Sequence, residues 1–244
     1  MKIGIVSDIH GNLAALESIL SEIKEADQIV CLGDVAATGP QPRETTGFLR
    51  KSEWPCVMGN TDERLANSTP EDFKQPSMPE EERLKLVALD RWTAEQLDDP
   101  ARKFLSGFKP TIEIEAESNS ILCYHGSPRS NTERILPTAD DKELTKIFGG
   151  MKASIYAGGH IHAQMVRKLG RSIVINPGSV GLPFLMDESG RAWNPAWAEY
   201  AIVTSTADDL RIELHRSRYS LAALKDAVRK SGIPDPDWWL RDWI

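Results

Sequence analysis

Three short apolar runs, separated by stretches with helical periodicity, constrain the fold of this chain more than any other feature. The runs cover residues 2–7, 28–32 and 54–58. Between the first two runs, the segment 11–25 places its apolar side chains on one helical stripe: Leu13, Leu16, Ile19, Leu20 and Ile23. The first sixty residues therefore predict a β-α-β-α-β order, which is typical of an α/β domain.

Each of these apolar runs is followed directly by a polar motif. The motifs are Asp8-Ile9-His10, Gly33-Asp34 and Gly59-Asn60. In open α/β sheets, ligands bind in the crevice beyond the carboxyl ends of the strands. The order of the motifs alone therefore predicts that they meet at one site.

Histidine is scarce in this chain, and four of the five histidines fall inside short motifs at predicted strand ends. Residues i and i+2 of a strand point to the same face, so Asp8 with His10, and His160 with His162, can each present two ligands to one point. Imidazole and carboxylate groups bind Zn, Mn, Fe and Ni. The motifs supply seven such groups, too many for one tetrahedral ion but suited to two ions that share a carboxylate: Asp8, His10, Asp34, Asn60, His125, His160 and His162.

The rest of the chain predicts one large domain over residues 1–216. A change in composition at about 61–110, with Pro70, Pro76 and Pro79 before a helical pattern, indicates a helical insertion. Strand patterns return at 111–116, 120–124, 153–157, 172–176, 199–205 and 210–216, the last two joined as a hairpin, so we expect a mixed sheet. Residues 217–244 predict a helix from Ser220 to Lys230 and a Trp-rich tail, packed on the domain or at a subunit interface.

The charge balance excludes some classes of partner. A formal net charge of −7 argues against stable binding to nucleic acid or to an anionic membrane, whereas a small phosphorylated substrate is compatible with bound cations. The chain has no apolar segment typical of a signal sequence or a membrane span. We expect a cytoplasmic protein in which Cys31, Cys56 and Cys123 are reduced core residues.

The motif series resembles the calcineurin-like metallophosphoesterase superfamily in order and in spacing. The series is Asp8-x-His10, Gly33-Asp34, Gly59-Asn60, His125 and Gly159-His160-x-His162, and the loop 176–179 extends the likeness to the small bacterial and archaeal phosphodiesterase branch. The resemblance implies a four-layer αββα sandwich of two mixed β-sheets flanked by helices. It also implies a pair of divalent metal ions as cofactor, Mn foremost, with Fe, Ni or Zn as alternatives.

The resemblance further assigns the ligands to the two ions. It implies that Asp8, His10, Asp34 and His162 hold one ion, and that Asp34, Asn60, His125 and His160 hold the other. Asp34 would bridge the ions, and Asp34, His10 and Asn60 are the predicted catalytic residues. Two such ions orient a phosphate and bridge the hydroxide that attacks it.

The chain departs from the family pattern directly after Asn60. Many members have His at the next position, which assists the leaving group, whereas this chain has Thr61 followed by Asp62. General acid catalysis contributes about 10²–10⁴-fold, so its loss favours phosphodiesters or activated esters. The alternatives are a phosphomonoesterase or protein phosphatase, a dinucleoside polyphosphate hydrolase, and a catalytically silent scaffold or binding protein with the same fold.

The predicted contacts to substrate rest on weaker signals. Asn12 follows His10-Gly11 and either donates to a phosphate or only caps the next helix. Arg129, four residues after His125, and Arg43, nine residues after Asp34, are candidate phosphate clamps. Asp62 either orients a neighbour or caps the next helix. An oligomer would form through the C-terminal tail.

Overall fold

A computed structural model describes residues 1–69 and 78–244. Pro70 and Pro76, which belong to the predicted insertion, lie outside the described residues. The helices are α1 Leu13–Ile23, α2 Pro42–Ser52, α3 Asn60–Ala66, α4 Glu80–Gln96, α5 Asp99–Ser106, α6 Asp141–Phe148, α7 Leu221–Ser231 and α8 Pro236–Leu240. The strands are β1 Lys2–Val6, β2 Gln28–Cys31, β3 Thr111–Ala116, β4 Asn119–Tyr124, β5 Ile155–Ala157, β6 Met165–Leu169, β7 Ser172–Asn176, β8 Leu185–Met186, β9 Ala192–Trp193, β10 Trp197–Ser205 and β11 Leu210–Arg218.

Two mixed sheets form the centre of the molecule. The first has the strand order β11-β10-β1-β2, in which β1 and β2 are parallel and the other pairs are antiparallel. The second has the order β3-β4-β5-β7-β6, with β4, β5 and β7 parallel. Strands β8 and β9 form a separate short hairpin. The prediction of two mixed sheets flanked by helices is confirmed.

Apolar side chains alternate along the strands and so fill both faces of each sheet. The layer between the sheets is built from β1, β2, β3, β4, β5, β7 and β10, and contains Ile3, Ile5, Val30, Ile114, Ile121, Cys123, Ile155, Ile175, Ala201 and Val203. Helix α1 covers the outer face of the first sheet with Leu16, Ile19 and Ile23. Helix α6 covers the second sheet with Leu144, Ile147 and Phe148. All three cysteines are buried and free.

The carboxyl ends of the parallel strands of both sheets meet at one edge. Strands β1 and β2 end there in the first sheet, and β4, β5 and β7 end there in the second. Backbone hydrogen bonds join the loops across the gap, from the Val180 amide to the Ser7 carbonyl at 2.9 Å and from the Gly181 amide to the Asp8 carbonyl at 3.0 Å. Every predicted motif follows one of these strand ends or the neighbouring run at 54–58.

The third apolar run differs from its prediction as a strand. Residues 54–58 make only isolated bridges, Cys31 with Cys56 and Val57 with Lys109. Pro55 lacks a backbone N–H and cannot donate to a ladder, which keeps the run short. The segment still runs parallel to β2 and delivers Gly59 and Asn60 to the same edge.

The C-terminal residues pack on the helical segment that precedes β3. Trp239 and Trp243 stack with ring centroids 5.1 Å apart, and they are buried with Leu89 of α4 and Leu224 of α7. The Trp239 indole also donates a hydrogen bond to the Thr38 carbonyl at 2.7 Å. The described helices include none that is long and apolar enough to cross a membrane.

We expect Trp239→Phe to lower the free energy of unfolding by roughly 1–2 kcal/mol, because it leaves the Thr38 carbonyl without its donor. The matched control is Trp238→Phe, which removes an indole bond to the Glu82 carboxylate, a group that keeps its hydrogen bonds from Arg241. Denaturant titration measures both variants. Equal decreases in the free energy of unfolding of the two variants would show that the bond to Thr38 stabilises the fold no more than the bond to Glu82.

Candidate metal centre

The paired ligands lie in loops rather than in strands, which corrects the strand-face argument made from the sequence. Strand β1 ends at Val6 and strand β5 ends at Ala157, before either Asp-x-His or His-x-His pair begins. The side chains converge because of left-handed backbone conformations. The φ angles are 54° at Asp8, 46° at His10, 55° at Asp34, 69° at His160 and 51° at His162.

Left-handed backbone is unfavourable for residues other than glycine. Such strain persists only where the surrounding structure determines it, and it concentrates at functional sites. Five of the seven predicted ligands carry it. The surrounding structure therefore holds these five residues in an unfavourable backbone conformation that brings their side chains together.

Asp8, His10 and His162 form the first ligand group. The Asp8 Oδ1 atom lies 3.2 Å from His162 Nε2 and 3.7 Å from His10 Nε2. The two imidazole Nε2 atoms are 3.1 Å apart. Three ligand atoms thus face one small volume.

Asp34, His125 and His160 form the second group, with ligand atoms within 4.8 Å of one another. The His125 Nε2 atom lies 3.5 Å from Asp34 Oδ2 and 3.1 Å from Asn60 Oδ1. Asn60 is the first residue of α3, which brings its amide to this group. The predicted ligands of the second ion are therefore together.

One oxygen of Asp34 faces both groups. Asp34 Oδ2 lies 3.5 Å from His125 Nε2 and 3.8 Å from His10 Nε2. The other oxygen, Oδ1, accepts a hydrogen bond from the Thr61 amide at 2.9 Å, which fixes the carboxylate in this orientation. Asp34 Oδ2 is therefore close to an imidazole nitrogen of each group.

Backbone carbonyls set the orientation of three imidazoles. His10 Nδ1 lies 3.0 Å from Ala37 O, His125 Nδ1 lies 2.8 Å from Leu32 O, and His162 Nδ1 lies 2.7 Å from Leu182 O. A carbonyl only accepts, so Nδ1 carries the proton and Nε2 faces the centre. Histidines that bind metal are held in this way.

The donor set fits a pair of divalent cations. Asp8 Oδ2 accepts from the Ser7 hydroxyl and the His160 amide, whereas the buried Oδ1 atom accepts no hydrogen bond from any residue that the structure describes. A buried carboxylate oxygen without a donor is costly. A cation between Asp8 Oδ1 and the Nε2 atoms would satisfy all of them at once.

Charges within the centre shift its pKa values in the absence of metal. Burial alone lowers the pKa of His125, but the Asp34 carboxylate, together with Asp8 and the Leu32 carbonyl, outweighs it and raises that pKa to about 10. Burial alone raises the pKa of Asp8, but His162, His10 and His125 together outweigh it and hold that pKa well below its usual value. A metal ion must displace the proton on His125, so metal affinity falls as the pH falls.

Two glycines allow the loops around the centre to approach closely. A Cβ atom on Gly181 would lie 1.7 Å from the Ile9 carbonyl oxygen, and one on Gly159 would lie 2.0 Å from Ser7 Oγ. The loop 176–181 therefore supports the Asp8 loop directly. The Ser179 hydroxyl adds a hydrogen bond to the Asp8 carbonyl at 2.8 Å.

Asp62 holds the loop that carries Asp34. Its buried carboxylate accepts from the amides of Asp34 at 2.7 Å, Val35 at 2.9 Å and Gly59 at 3.1 Å. Burial, followed by the charge of Asp34, raises the pKa of Asp62 to about 7. The two sequence interpretations of Asp62, capping α3 and orienting a neighbour, both describe it.

Thr61, at the position of the missing histidine, is buried. Its Oγ1 atom is enclosed and forms no hydrogen bond with the described residues. We expect Thr61→Val, which is nearly isosteric, to raise the free energy of unfolding by about 1 kcal/mol, because it removes an unpaired buried hydroxyl. Denaturant titration measures the change.

Turnover by Thr61→Val should equal that of the parent protein, since an enclosed hydroxyl cannot protonate a leaving group. The control is Thr61→Ala, which leaves a cavity and should destabilise the protein. A large loss of kcat in Thr61→Val with normal stability would show that the hydroxyl takes part in the reaction.

The residues predicted to contact substrate form hydrogen bonds within the protein instead. Asn12 is buried and caps α1, and its amide group donates to the Gly181 carbonyl at 2.9 Å and to the Tyr219 hydroxyl at 3.0 Å. Arg43 is exposed and donates to the Gln96 carbonyl. A role for Asn12 in holding phosphate would require its hydrogen bonds to break, whereas the bond to Gln96 uses only the Nε atom of Arg43.

Arg129 is also exposed, and its guanidinium forms an ion pair with Glu133 and a hydrogen bond with the Lys146 carbonyl. The structure thus brings the seven predicted ligands together, and it gives all three predicted substrate contacts other partners. The Ser7 hydroxyl, the Ser179 hydroxyl and the orienting carbonyls were missed by sequence reasoning. A backbone carbonyl carries no residue identity, so no sequence signal could have found those.

The chain is similar to known proteins over most of its length. A model of the calcineurin-like phosphoesterase superfamily domain matches residues 1–203. An uncharacterised protein of Methanocaldococcus jannaschii is 26% identical over 257 residues, which cover 98% of this chain and 95% of the relative.

Two solved structures share the fold over nearly the whole chain. A metallophosphoesterase from Sphaerobacter thermophilus has a TM-score of 0.72 at 26% identity and covers 99% of both chains. A hypothetical protein from Pyrococcus horikoshii OT3 has a TM-score of 0.76 at 20% identity, over 96% of this chain and 94% of its own. These similarities extend beyond the centre to the C-terminal helices.

Proposed function

The chain belongs to the calcineurin-like phosphoesterase superfamily, and from this premise we propose that it is a dinuclear metal-dependent phosphodiesterase. The observation that carries the proposal is the position of Asp34 Oδ2 between two groups of ligand atoms. We propose Mn²⁺ as the cofactor, with a small phosphorylated molecule as the substrate.

Some groups of the centre would bind the cations, and others orient those ligands. Two bound divalent cations supply Lewis acidity and neutralise the charge of a phosphoryl group. Asp34 Oδ2 would be the shared ligand oxygen, with His10 as a ligand of the first ion and Asn60 as a ligand of the second. The Thr61 amide keeps Asp34 Oδ1 away from the centre, so that only Oδ2 is directed inward.

Within the described residues, no histidine is free to act as a general acid, which supports a diester as substrate. Four of the histidines face the centre, and the fifth, His215, stacks on Tyr200 with ring centroids 4.9 Å apart. Thr61 is enclosed. Without an imidazolium beside the leaving group, efficient cleavage of monoesters with poor leaving groups is disfavoured.

We expect the protein, stripped with chelator and reloaded with Mn²⁺, to hydrolyse bis-p-nitrophenyl phosphate with a higher kcat/KM than p-nitrophenyl phosphate. The stripped protein should hydrolyse neither compound, and Zn²⁺, Fe²⁺ and Ni²⁺ serve as comparison metals. Both compounds release the same nitrophenolate, so the ratio reports the preference for diester over monoester.

Preference for the monoester would contradict the assignment as a diesterase while retaining a phosphoesterase. No turnover of either compound, with two metals measured per chain, would indicate a protein that binds metal without this chemistry.

A further inference from the structure

The segment 182–186 has two roles beside the metal centre. The Leu182 carbonyl accepts the Nδ1 proton of His162 at 2.7 Å and so orients a predicted ligand. Two residues further on, the Phe184 ring lies 6.3 Å from the His162 ring between centroids, with an interplanar angle of 44°. An aromatic side chain thus stands next to the centre.

The two residues before Phe184 are anchored. Leu182 packs against the buried cluster that contains Trp239. The Asn194 amide group donates to the Pro183 carbonyl at 2.9 Å, and the Asn194 backbone pairs with the Asp242 carbonyl and the Ile244 amide. Such anchoring reduces the entropy that ordering this segment on a ligand would cost.

Phe184 begins a run of exposed apolar side chains on the β8–β9 hairpin. The exposed fractions are 37% for Phe184, 40% for Leu185 and 58% for Met186. The other large exposed apolar residues in the described part of the chain, Leu84, Leu136, Met151, Val166 and Ile244, do not adjoin one another in sequence. Contiguous apolar exposure beside a polar site is typical of a ligand contact.

We propose that Phe184 is the stacking surface for the base of a nucleoside phosphodiester whose phosphate is held at the metal centre. This inference rests on the proposed function. Because the Phe184 ring lies next to His162, the ester substituent of a phosphate bound beside His162 can reach that ring. A planar base can stack on an exposed aromatic face. Leu185 and Met186 extend the apolar surface beyond the ring.

The kinetic test compares two diesters that release the same nitrophenolate, thymidine 5′-(p-nitrophenyl phosphate) and methyl p-nitrophenyl phosphate. We expect Phe184→Ala to lower the ratio of kcat/KM for the thymidine ester over the methyl ester by about tenfold, as for the loss of one base-aromatic stack. Phe184→Tyr keeps an aromatic ring and should keep the ratio.

The matched control is Met151→Ala. Met151 is 38% exposed, close to the exposure of Phe184, and it follows α6 near the amino end of β5, opposite the centre. This variant should leave both esters and the metal content unchanged. Metal content measured in every variant separates stacking from an effect through His162.

An unchanged ratio in Phe184→Ala would overturn the proposal, and so would a loss of bound metal that explains the change. If the parent protein turns over neither diester, the proposed function fails, and equilibrium binding decides the inference separately. Titration calorimetry of the Mn²⁺-loaded protein should then show about tenfold weaker binding of thymidine 5′-monophosphate by Phe184→Ala, relative to methyl phosphate. Equal weakening for both ligands would exclude a stacking role.

Discussion

Asp34→Asn is expected to lower kcat/KM for bis-p-nitrophenyl phosphate by about 10³-fold and to reduce the number of metal ions bound. The reason is the hydrogen bond from the Thr61 amide to Asp34 Oδ1. An asparagine must turn its only acceptor oxygen towards that amide, which directs the NH₂ group towards both ligand groups. An amide NH₂ cannot bind a cation. Losing several kcal/mol of charge stabilisation in the transition state corresponds to a fall in kcat/KM of about 10³-fold.

Asp98→Asn is the matched control for this variant. Asp98 also accepts one backbone amide, that of Ala101 at 2.8 Å, but it caps α5. Asparagine caps helices about as well as aspartate, so activity and metal content should not change. Metal analysis after desalting, together with initial rates, distinguishes the variants. If the Asp34→Asn protein were fully metallated and active, the assignment of Asp34 as the bridging ligand would be wrong.

Asp62→Asn is expected to lower the free energy of unfolding of the metal-free protein by roughly 3 kcal/mol. The two carboxylate oxygens accept three backbone amides, and two of these amides share Oδ2. An asparagine offers one oxygen, so at least one buried amide faces an NH₂ group and loses its acceptor. Each unsatisfied buried donor costs about 1–3 kcal/mol.

The measurement is denaturant unfolding in chelator, which separates the effect on the fold from the effect on metal binding. Asp140→Asn is the control, because Asp140 accepts the Glu143 amide at the exposed start of α6. A change below about 1 kcal/mol in Asp62→Asn would mean that the three amides find other acceptors. The support of the Asp34 loop would then have to come from elsewhere.

The architecture was largely predictable because its signals repeat along the chain. Apolar runs mark β1, β2 and β7, and the helical stripe from Leu13 to Ile23 marks α1. Polar motifs at strand ends indicate where the strands finish and thus which side chains meet. The meeting of these motifs at one edge was therefore predictable from strand order, whereas the left-handed backbone that turns their side chains inward was not.

Other features depend on tertiary structure and leave weak local signals. Strands β8 and β9 contain two residues each, too few to show periodicity. The left-handed backbone at His10 and His162 is imposed by surrounding loops, and sequence reasoning placed these residues in strands instead. Asn12 illustrates a third limit, because whether its side chain caps a helix or binds substrate depends on the distant residues Gly181 and Tyr219.

The most direct test of the central claim is a crystal structure of the Mn²⁺-loaded protein with an anomalous difference map. The account predicts two peaks about 3.5–4 Å apart, one on each side of Asp34 Oδ2. The first peak should contact Asp8, His10 and His162, and the second should contact Asn60, His125 and His160. A single peak, or two peaks that do not share Asp34, would contradict the dinuclear centre.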